Sequence, residues 1–246
     1  AQTATDFEVV LVDNKGGEAT RGFEHGYRGL TITRIINSRN RGFAAASNQG
    51  LQAGQGEFAV LLNDDTKPAP DWLEALVRAA EAPDVGACAS LMVFDSAPGV
   101  VQSAGIAIDR AAIAWDRLRG QPVSAARIPT DVFGASGGAA LYRRAMLDEI
   151  GLLDERFVSY LEDVDLAWRA QRTHWRCVYA PDAVVRHVTS ATSGEGSRFK
   201  NRMLGRNKIR LAAKNSRWRD LPIVAAYDLA AVFYALIVRR DPGPML

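Results

Sequence analysis

Cysteine is scarce in this sequence: there are two in 246 residues, Cys88 and Cys177, each within an apolar run typical of a strand. Neither has the C-x-x-C spacing of a redox or zinc site, so we interpret both as buried free thiols in a reducing compartment. The N-terminus also lacks the basic, apolar and small-residue pattern of a secretory signal, which favours the cytoplasm. No early strand is followed by G-x-G-x-x-G, and this argues against a dinucleotide-dependent oxidoreductase.

Acidic residues are missing from residues 198–219, which contain nine Lys or Arg. This stretch predicts a local basic surface suited to phosphates or anionic lipid, and it is equally typical of a solvated helix face. Residues 221–238 are apolar apart from Asp228, but this carboxylate and Pro222 make the segment a marginal membrane span. A helix docked on the domain or lying at the bilayer surface fits the pattern better.

The composition predicts a folded α/β protein. Hydrophobic residues make up 48% and charged residues 24%, which is enough apolar material for a packed core. Strand and helix patterns alternate along the first part of the chain, as in a mostly parallel sheet flanked by helices. We assign residues 1–200 to this domain and residues 201–246 to a basic and apolar helical tail.

The hydrophobic pattern also gives the predicted elements. Strands are expected at residues 7–12, 31–36, 58–62, 85–94, 133–142, 175–179 and 184–188. Helices are expected at residues 43–53, between Pro70 and Pro83, at 143–150, from 162, from 207 and at 221–238. Residues 100–108 and 111–115 are expected to form a small antiparallel hairpin beside the main sheet.

An apolar run ending at Leu62 stops abruptly at Asn63, Asp64 and Asp65. In open α/β sheets ligands collect outside the carboxyl ends of strands, and oxygen donors there can hold a divalent cation against a phosphate. The same three residues are equally well explained as a solvated turn that breaks the strand. The motif alone does not decide between these interpretations.

A second acidic cluster, Glu162, Asp163 and Asp165, falls in the first turn of a predicted helix. Carboxylates are favoured there by the helix dipole, which explains them without any function. His187 lies between apolar neighbours, where a lone histidine is more often a core residue than a ligand. At residues 134–138 a run of small side chains would let another molecule approach the backbone closely.

Six motifs together resemble the inverting family 2 glycosyltransferases with the GT-A fold. They are Val-Asp-Asn at 12–14, Asn-Arg-Gly-Phe at 40–43 with Asn48, Asn-Asp-Asp-Thr at 63–66, Gly-Ala-Ser-Gly-Gly at 134–138, Glu-Asp-Val-Asp-Leu at 162–166, and His187. The match runs from residue 7 to about residue 215 and is closest to bacterial rhamnosyltransferase-like members. Each motif is weak alone, but their shared order is specific.

The resemblance implies a role for each matched residue. Asp65 and His187 would hold Mg²⁺ or Mn²⁺ on the diphosphate of the donor, where the metal neutralises charge on the leaving group. Asp163 would be the general base, and Glu162 would orient it or bind the acceptor. At the start of a helix Asp163 is expected to stay ionised at neutral pH. The residues expected to bind substrates are Asp13, Asn14, Asn40, Gly42, Asn48, Asp64, Gly137, Gly138 and Arg206.

Three features depart from the family pattern. Asn63 replaces the first acid of the D-x-D motif, so metal binding depends more heavily on Asp65. Lys15, Gly16 and Gly17 replace a Ser-rich loop, which leaves the base of the nucleotide open. The family's first strand is absent before residue 7, and we interpret this as a fragment boundary.

The resemblance therefore implies an inverting, metal-dependent hexosyltransferase of cell-surface polysaccharide synthesis. Its donor would be a nucleotide-diphosphate sugar, dTDP- or UDP-linked with rhamnose as a candidate, and its acceptor a hydroxyl of a glycan or lipid-linked glycan. We expect no nucleic-acid partner and a cytoplasmic location, with peripheral contact at the inner face of the plasma membrane through the tail. Two alternatives stay open: a non-catalytic glycan- or nucleotide-binding module with a degenerate GT-A fold, and a sugar nucleotidyltransferase.

Overall fold

The computed structural model describes residues 2–16, 20–23, 29–188, 197–234 and 237. Gly17 of the predicted loop and residues 235, 236 and 238 of the predicted C-terminal helix lie outside these ranges. The strands are β1 (Glu8–Asp13), β2 (Thr31–Ile36), β3 (Phe58–Leu62), β4 (Thr66–Pro68), β5 (Val85–Phe94), β6 (Ala97–Ser103), β7 (Ile106–Ile108), β8 (Ala114–Asp116), β9 (Thr130–Val132), β10 (Ala139–Arg143) and β11 (Arg176–His187). The helices are α1 (Phe43–Ala53), α2 (Trp72–Ala79), α3 (Arg144–Ile150), α4 (Glu162–Gln171), α5 (Arg198–Asn215) and α6 (Leu221–Tyr234).

A central sheet flanked by helices confirms the predicted α/β class, and β7 with β8 forms a small antiparallel hairpin. The order of the main sheet is β3-β10-β5-β11-β4, with β6 on β5 and β9 on β11, while β1 and β2 form a separate parallel pair. This sheet is mixed, where the prediction had it mostly parallel. β5 and β11 are parallel, but β10 is antiparallel to both β3 and β5, because the long excursion through β6 to β9 returns the chain in the opposite direction.

Three predicted strands differ from those observed. Gly134 forms an isolated antiparallel bridge with Ile106, and residues 135–138 lie in loop and turn conformation. The strand predicted at 133–142 therefore begins only at Ala139, as β10. The strands predicted at 175–179 and 184–188 are one strand, β11, with an irregularity between Ala180 and Val184. Pro181 cannot donate to the ladder but is tolerated at such an irregularity.

The core lies on both faces of β5, which is buried along nearly its whole length. Ala87, Ala89 and Leu91 pack with α3 and α4 on one face, whereas Cys88 and Met92 pack with α2 on the other. This alternation is the period of two that a strand imposes on its side chains. Cys88 and Cys177 are both buried and unpaired, as predicted, and burial raises the pKa of the Cys88 thiol to about 12.

The C-terminal helices meet the domain differently. α5 packs against α4, with Leu211 fully buried beside Phe157 and Val164. In α6, by contrast, Val224 is the one buried residue of the described helix. Within the described ranges, no helix combines the length and apolar character needed to cross a bilayer.

Candidate active site

Asp65 and His187 meet at one end of the sheet, as the sequence predicted. Their positions follow from the pairing of β4 with β11, which sets His187 opposite Thr66, directly after the turn that ends β3. The Oδ1 atom of Asp65 lies 2.9 Å from Nε2 of His187, and the backbone N–H of Val188 donates to the Asp65 carbonyl at 2.9 Å. Two residues 122 positions apart thus present an oxygen and a nitrogen donor to the same point.

Gln102 holds the other side of the imidazole. Its amide nitrogen and oxygen lie 2.8 Å and 3.0 Å from Nδ1 of His187, and its side chain is buried. A partner on the second nitrogen fixes the ring orientation and tautomer of a metal-binding histidine. Sequence reasoning missed Gln102, because it lies in β6 in the least clearly patterned part of the chain.

The donor atoms of Asp65 and His187 fit Mn²⁺ and, less closely, Mg²⁺. No group of three or more His, Cys, Asp or Glu that could hold a metal exists among the described residues, so a bound cation would take its remaining ligands from a diphosphate or water. The side chain of Asp64 is exposed at the same turn. Its predicted contact with the donor stays a prediction.

The turn at Gly137 and Gly138 connects this end of the site to Asp163. The N–H of Gly137 donates to Oδ2 of Asp163 at 2.9 Å, and the Gly138 carbonyl accepts from the N–H of Asn63 at 2.9 Å. A Cβ at residue 137 would lie 3.3 Å from the Phe43 ring, and one at residue 138 would lie 3.2 Å from Met92. Both contacts are tight, which explains the small residues in physical terms.

Burial alters the protonation expected of the acidic pair that begins α4. Glu162 is 5% exposed with its Oε2 atom unpartnered, and burial, reinforced by the charge of Asp163, raises its pKa well above the ordinary range. Burial also raises the pKa of Asp163, although the N–H groups of Gly137 and Val164 oppose this shift. The expectation that the helix start alone keeps Asp163 ionised therefore needs correction, because desolvation outweighs the helix dipole here. The two backbone donors favour Asp163 as the ionised member of the pair.

Asp116 is a second residue that sequence reasoning missed. It ends β8, and burial raises its pKa, while a hydrogen bond with Ser103 and the nearby Arg119 and His187 lower it. Its charge in turn raises the pKa of Asp163. Asp116 therefore lies near enough to couple electrostatically to both predicted ends of the site.

A strained turn leads into α4. Val158, Tyr160 and Leu161 have φ angles of 67°, 71° and 68°, in the left-handed region that non-glycine residues rarely adopt. The Nδ2 atom of the buried Asn207 in α5 lies 2.9, 2.8 and 2.7 Å from the carbonyl oxygens of residues 157, 159 and 160. α5 thus holds the backbone that positions Asp163.

An amide network connects the predicted nucleotide-binding residues. Asn14 donates to Oδ1 of Asn40 at 3.0 Å and to the Gly42 carbonyl at 3.1 Å, and the missed residue Asn37 donates to Asn14 at 3.1 Å. Asp13 is buried at the end of β1 and accepts from the Lys15 N–H at 3.0 Å. The structure therefore brings four of the predicted residues, Asp13, Asn14, Asn40 and Gly42, into one local group.

Two other predicted residues make contacts within the protein. Asn48 is buried in α1, where it donates to the Leu153 carbonyl at 2.8 Å and accepts from the Leu153 N–H at 3.1 Å. Arg206 donates to the carbonyls of Phe157 at 2.8 Å and Arg156 at 3.2 Å. Both side chains thus connect separate parts of the backbone. Their predicted roles in substrate binding stay predictions.

Proteins similar in sequence to this chain align with most of its length. It is 28% identical over 257 residues to an N-acetylglucosaminyl-diphospho-decaprenol L-rhamnosyltransferase from Mycobacterium tuberculosis, covering 90% of this chain and 80% of that protein. It is 27% identical over 196 residues to the O-antigen biosynthesis protein RfbC of Myxococcus xanthus, covering 76% of this chain but 15% of RfbC. An uncharacterized Sinorhizobium fredii protein, y4gI, is 25% identical over 87% of this chain and 24% of its own length. The chain thus spans less than a quarter of the latter two relatives.

Solved structures share the fold. GalNAc-T7 with UDP, GalNAc and Mn²⁺ superposes with a TM-score of 0.64 at 16% identity, covering 86% of this chain and 43% of that one. The mannosyltransferase PcManGT from Pyrobaculum calidifontis with GDP-Man and Mn²⁺ gives 0.58 at 20% identity, covering 97% and 63%. At these identities the likeness establishes the GT-A fold alone. The sequence pattern described as Glycosyl transferase family 2 matches residues 1–151, and the chain therefore belongs to glycosyl transferase family 2.

Proposed function

We propose that this chain is an inverting glycosyltransferase of cell-surface polysaccharide synthesis. It transfers a hexosyl group, with rhamnose as the first candidate, from a dTDP- or UDP-linked donor to a hydroxyl of a glycan or lipid-linked glycan. The contact between Asp65 and His187 carries this proposal, because it brings an oxygen and a nitrogen donor together directly after β3. The Gly137–Gly138 turn, which is hydrogen bonded to Asn63 and to Asp163, links this point to the proposed base. The rhamnosyltransferase and O-antigen relatives support the substrate class.

Asp65 and His187 would hold the Mn²⁺ or Mg²⁺ that arrives with the diphosphate. When bound, the cation supplies positive charge next to the leaving group. Gln102 keeps Nε2 of His187 directed at Asp65. The exposed Asp64 and the Gly137–Gly138 turn, whose small residues allow close approach, would contact the donor.

Asp163 accepts the proton of the acceptor hydroxyl. As that oxygen forms its bond to the anomeric carbon, the bond from this carbon to the diphosphate oxygen breaks, and the nucleoside diphosphate leaves with the bonding electrons. One displacement of this kind inverts the anomeric configuration. The Gly137 N–H keeps the carboxylate of Asp163 in place, and positioned proton transfer typically contributes ~10²–10⁴-fold in rate.

A cytoplasmic location with peripheral contact at the plasma membrane belongs to the same proposal. A lipid-linked acceptor lies at the membrane surface, and the exposed apolar residues of α6 suit such a position.

The proposal is tested with purified chain, a panel of nucleotide-sugars and Mn²⁺, measuring release of nucleoside diphosphate and the anomeric configuration of any product. We expect metal-dependent release that falls at least ~10²-fold in Asp163→Asn, while the exposed and remote Asp182→Asn retains parental activity. If parent and Asp163→Asn are equally inert yet both bind metal and nucleotide, the chain is instead a non-catalytic binding module. A product with retained configuration would contradict the inverting displacement.

A further inference from the structure

A second concave site lies away from the candidate active site. It is a cavity of about 690 Å³ between Phe133, the C-terminal end of α4 and the junction of α5 with α6. Asp163 is in the first turn of α4, whereas Trp168, Gln171 and Arg172 line the cavity five to nine residues further along, a separation of about 8–14 Å at 1.5 Å per residue. The lining of this cavity does not include Asp65, His187 or Asp163.

Four arginines give the cavity a net positive charge. Arg110 is neutralised by Asp220, with Nη2 2.8 Å from Oδ1, and Arg172 donates to the backbone carbonyl of Asn215. Arg217 and Arg219 are exposed and form no ion pair within the described part of the chain. Guanidinium groups bind phosphate oxygens in a bidentate manner, so the lining suits a phosphate.

One wall of the cavity is aromatic, and an apolar helix begins at its rim. Phe133 and Trp168 pack edge to face with ring centroids 5.9 Å apart. Trp218, 84% exposed, lies between Arg217 and Arg219, and α6 starts at Leu221. The large apolar side chains that α6 leaves exposed are Leu221, Ile223, Tyr227, Leu229, Phe233 and Tyr234. Exposed apolar area of this kind marks an interaction surface.

We propose that the arginine cavity binds the phosphate of an anionic phospholipid and that α6 lies in the membrane interface beside it. The combination favours a lipid over a protein partner, because an arginine-lined cavity adjoins an exposed tryptophan and an apolar helix. These three features suit the headgroup, the interface and the acyl region of a phospholipid. This inference deepens the membrane contact in the proposed function. Its test measures no sugar transfer, so the two can fail separately.

The test is flotation of the full chain with vesicles of phosphatidylcholine alone or mixed with phosphatidylglycerol. We expect binding to the anionic vesicles only, weakening as salt is raised. Each arginine near an anionic surface is worth about 1 kcal/mol, so the double variant Arg217→Ser/Arg219→Ser is expected to bind about 30-fold more weakly. The matched double variant Arg78→Ser/Arg127→Ser removes the same charge from exposed positions elsewhere and is expected to stay within about 3-fold of the parent.

Two further measurements test whether the ligand is a lipid and whether α6 contacts the membrane. Leu229→Ser/Phe233→Ser is expected to abolish flotation while the circular dichroism spectrum and the thermal shift with nucleotide stay parental. Inorganic phosphate that stabilises the chain without any vesicle binding would show that the cavity takes a soluble phosphate, which overturns the lipid assignment. Equal binding to both vesicle types, or a dimer that dissociates in Leu229→Ser/Phe233→Ser without any flotation of the parent, would overturn it as well.

Discussion

At the scale of single residues, the contact that Nδ1 of His187 makes fixes the orientation in which Nε2 would meet a metal. Gln102 is buried and lies 2.8 Å from Nδ1 through its amide nitrogen. Without that partner the ring is free to choose the other tautomer and to turn away from Asp65. The geometry of the predicted metal pair therefore depends on a residue that is itself no ligand.

Replacing Gln102 should weaken metal binding. Gln102→Leu preserves volume in a buried position, and we expect the affinity for Mn²⁺ in the presence of UDP to fall about 10-fold, in the range typical of residues that orient ligands. Isothermal titration measures this directly. Gln121→Leu, at an exposed position, is the control, and equal affinities in the two variants would contradict the orienting role.

The buried carboxyl of Glu162 makes stability depend on pH. Its pKa is raised in the folded chain by burial and by Asp163, so the folded state keeps a proton that the unfolded state releases. The stability from this proton is full below the unfolded pKa and is lost as the pH rises through the folded pKa. Glu162→Gln cannot ionise and should escape that loss.

We therefore expect the melting temperature of Glu162→Gln to rise relative to the parent as the pH increases from about 5 to about 9. Thermal unfolding across this range measures the difference. Glu81→Gln, at an exposed position, should show no such trend. A difference between Glu162→Gln and the parent that stays constant with pH would rule out a raised pKa at this residue.

At the scale of elements, α1 and the turn before α4 touch at Gly42. Gly42 has a φ of 86°, and a Cβ there would lie 2.6 Å from Cγ1 and 2.7 Å from the carbonyl oxygen of Val158. The N–H of Ala44 also donates to the Val158 carbonyl at 3.1 Å. The predicted nucleotide-binding group is thus in contact, at Gly42 and Ala44, with the turn that leads into the helix carrying Asp163.

A methyl group at residue 42 should disturb both the predicted nucleotide-binding group and the turn before α4. Gly42→Ala suffers the backbone penalty of a positive φ and a clash with backbone atoms, so we expect a loss of more than ~2 kcal/mol in the free energy of unfolding. Gly120→Ala is a matched control, because Gly120 has a φ of 82° with nothing within 4 Å of its Cβ position. It should lose only ~1 kcal/mol. Equal losses in urea unfolding would show that the contact with Val158 is unimportant.

Local patterns predicted some elements well and others poorly. β2, β3, β5 and α1 have the bounds expected from their hydrophobic runs. β4 and β9 have three residues each and exist through their pairing with β11, which no local pattern records. Asp65 and His187 were found through the order of the family's motifs. Gln102 and Asp116, by contrast, approach the site through β6 and β8, and only the tertiary fold brings them there.

At the scale of the whole molecule, contacts between α4, α5 and the segment before α4 support the candidate site. Asp165 is fully buried in α4 and accepts hydrogen bonds from Lys214 at 2.8 Å and from Asn215 at 2.8 Å. Lys214 also reaches Asp154 at 2.9 Å, so the end of α5 is tied both to α4 and to the segment before it. Removing one partner of a buried ion pair costs several kcal/mol, which makes α5 part of the support of the site.

Ligands of the site should therefore stabilise the whole chain, and they should do so cooperatively. The proposed metal site has two protein ligands, Asp65 and His187, so we expect Mn²⁺ alone to bind weakly and UDP alone to lack a countercharge. When both are present, UDP completes the site for Mn²⁺ and Mn²⁺ completes the site for UDP. Each therefore raises the affinity of the other by the same factor. At ligand concentrations near 100 times the dissociation constant the gain is about 2.7 kcal/mol, or about 5–10 °C in melting temperature for a chain of this size.

We expect the shift with Mn²⁺ and UDP together to exceed the sum of the separate shifts, and to vanish in Asp65→Ala but not in the exposed Asp182→Asn. Additive shifts, or a full shift in Asp65→Ala, would mean that the cation and the diphosphate bind at separate places.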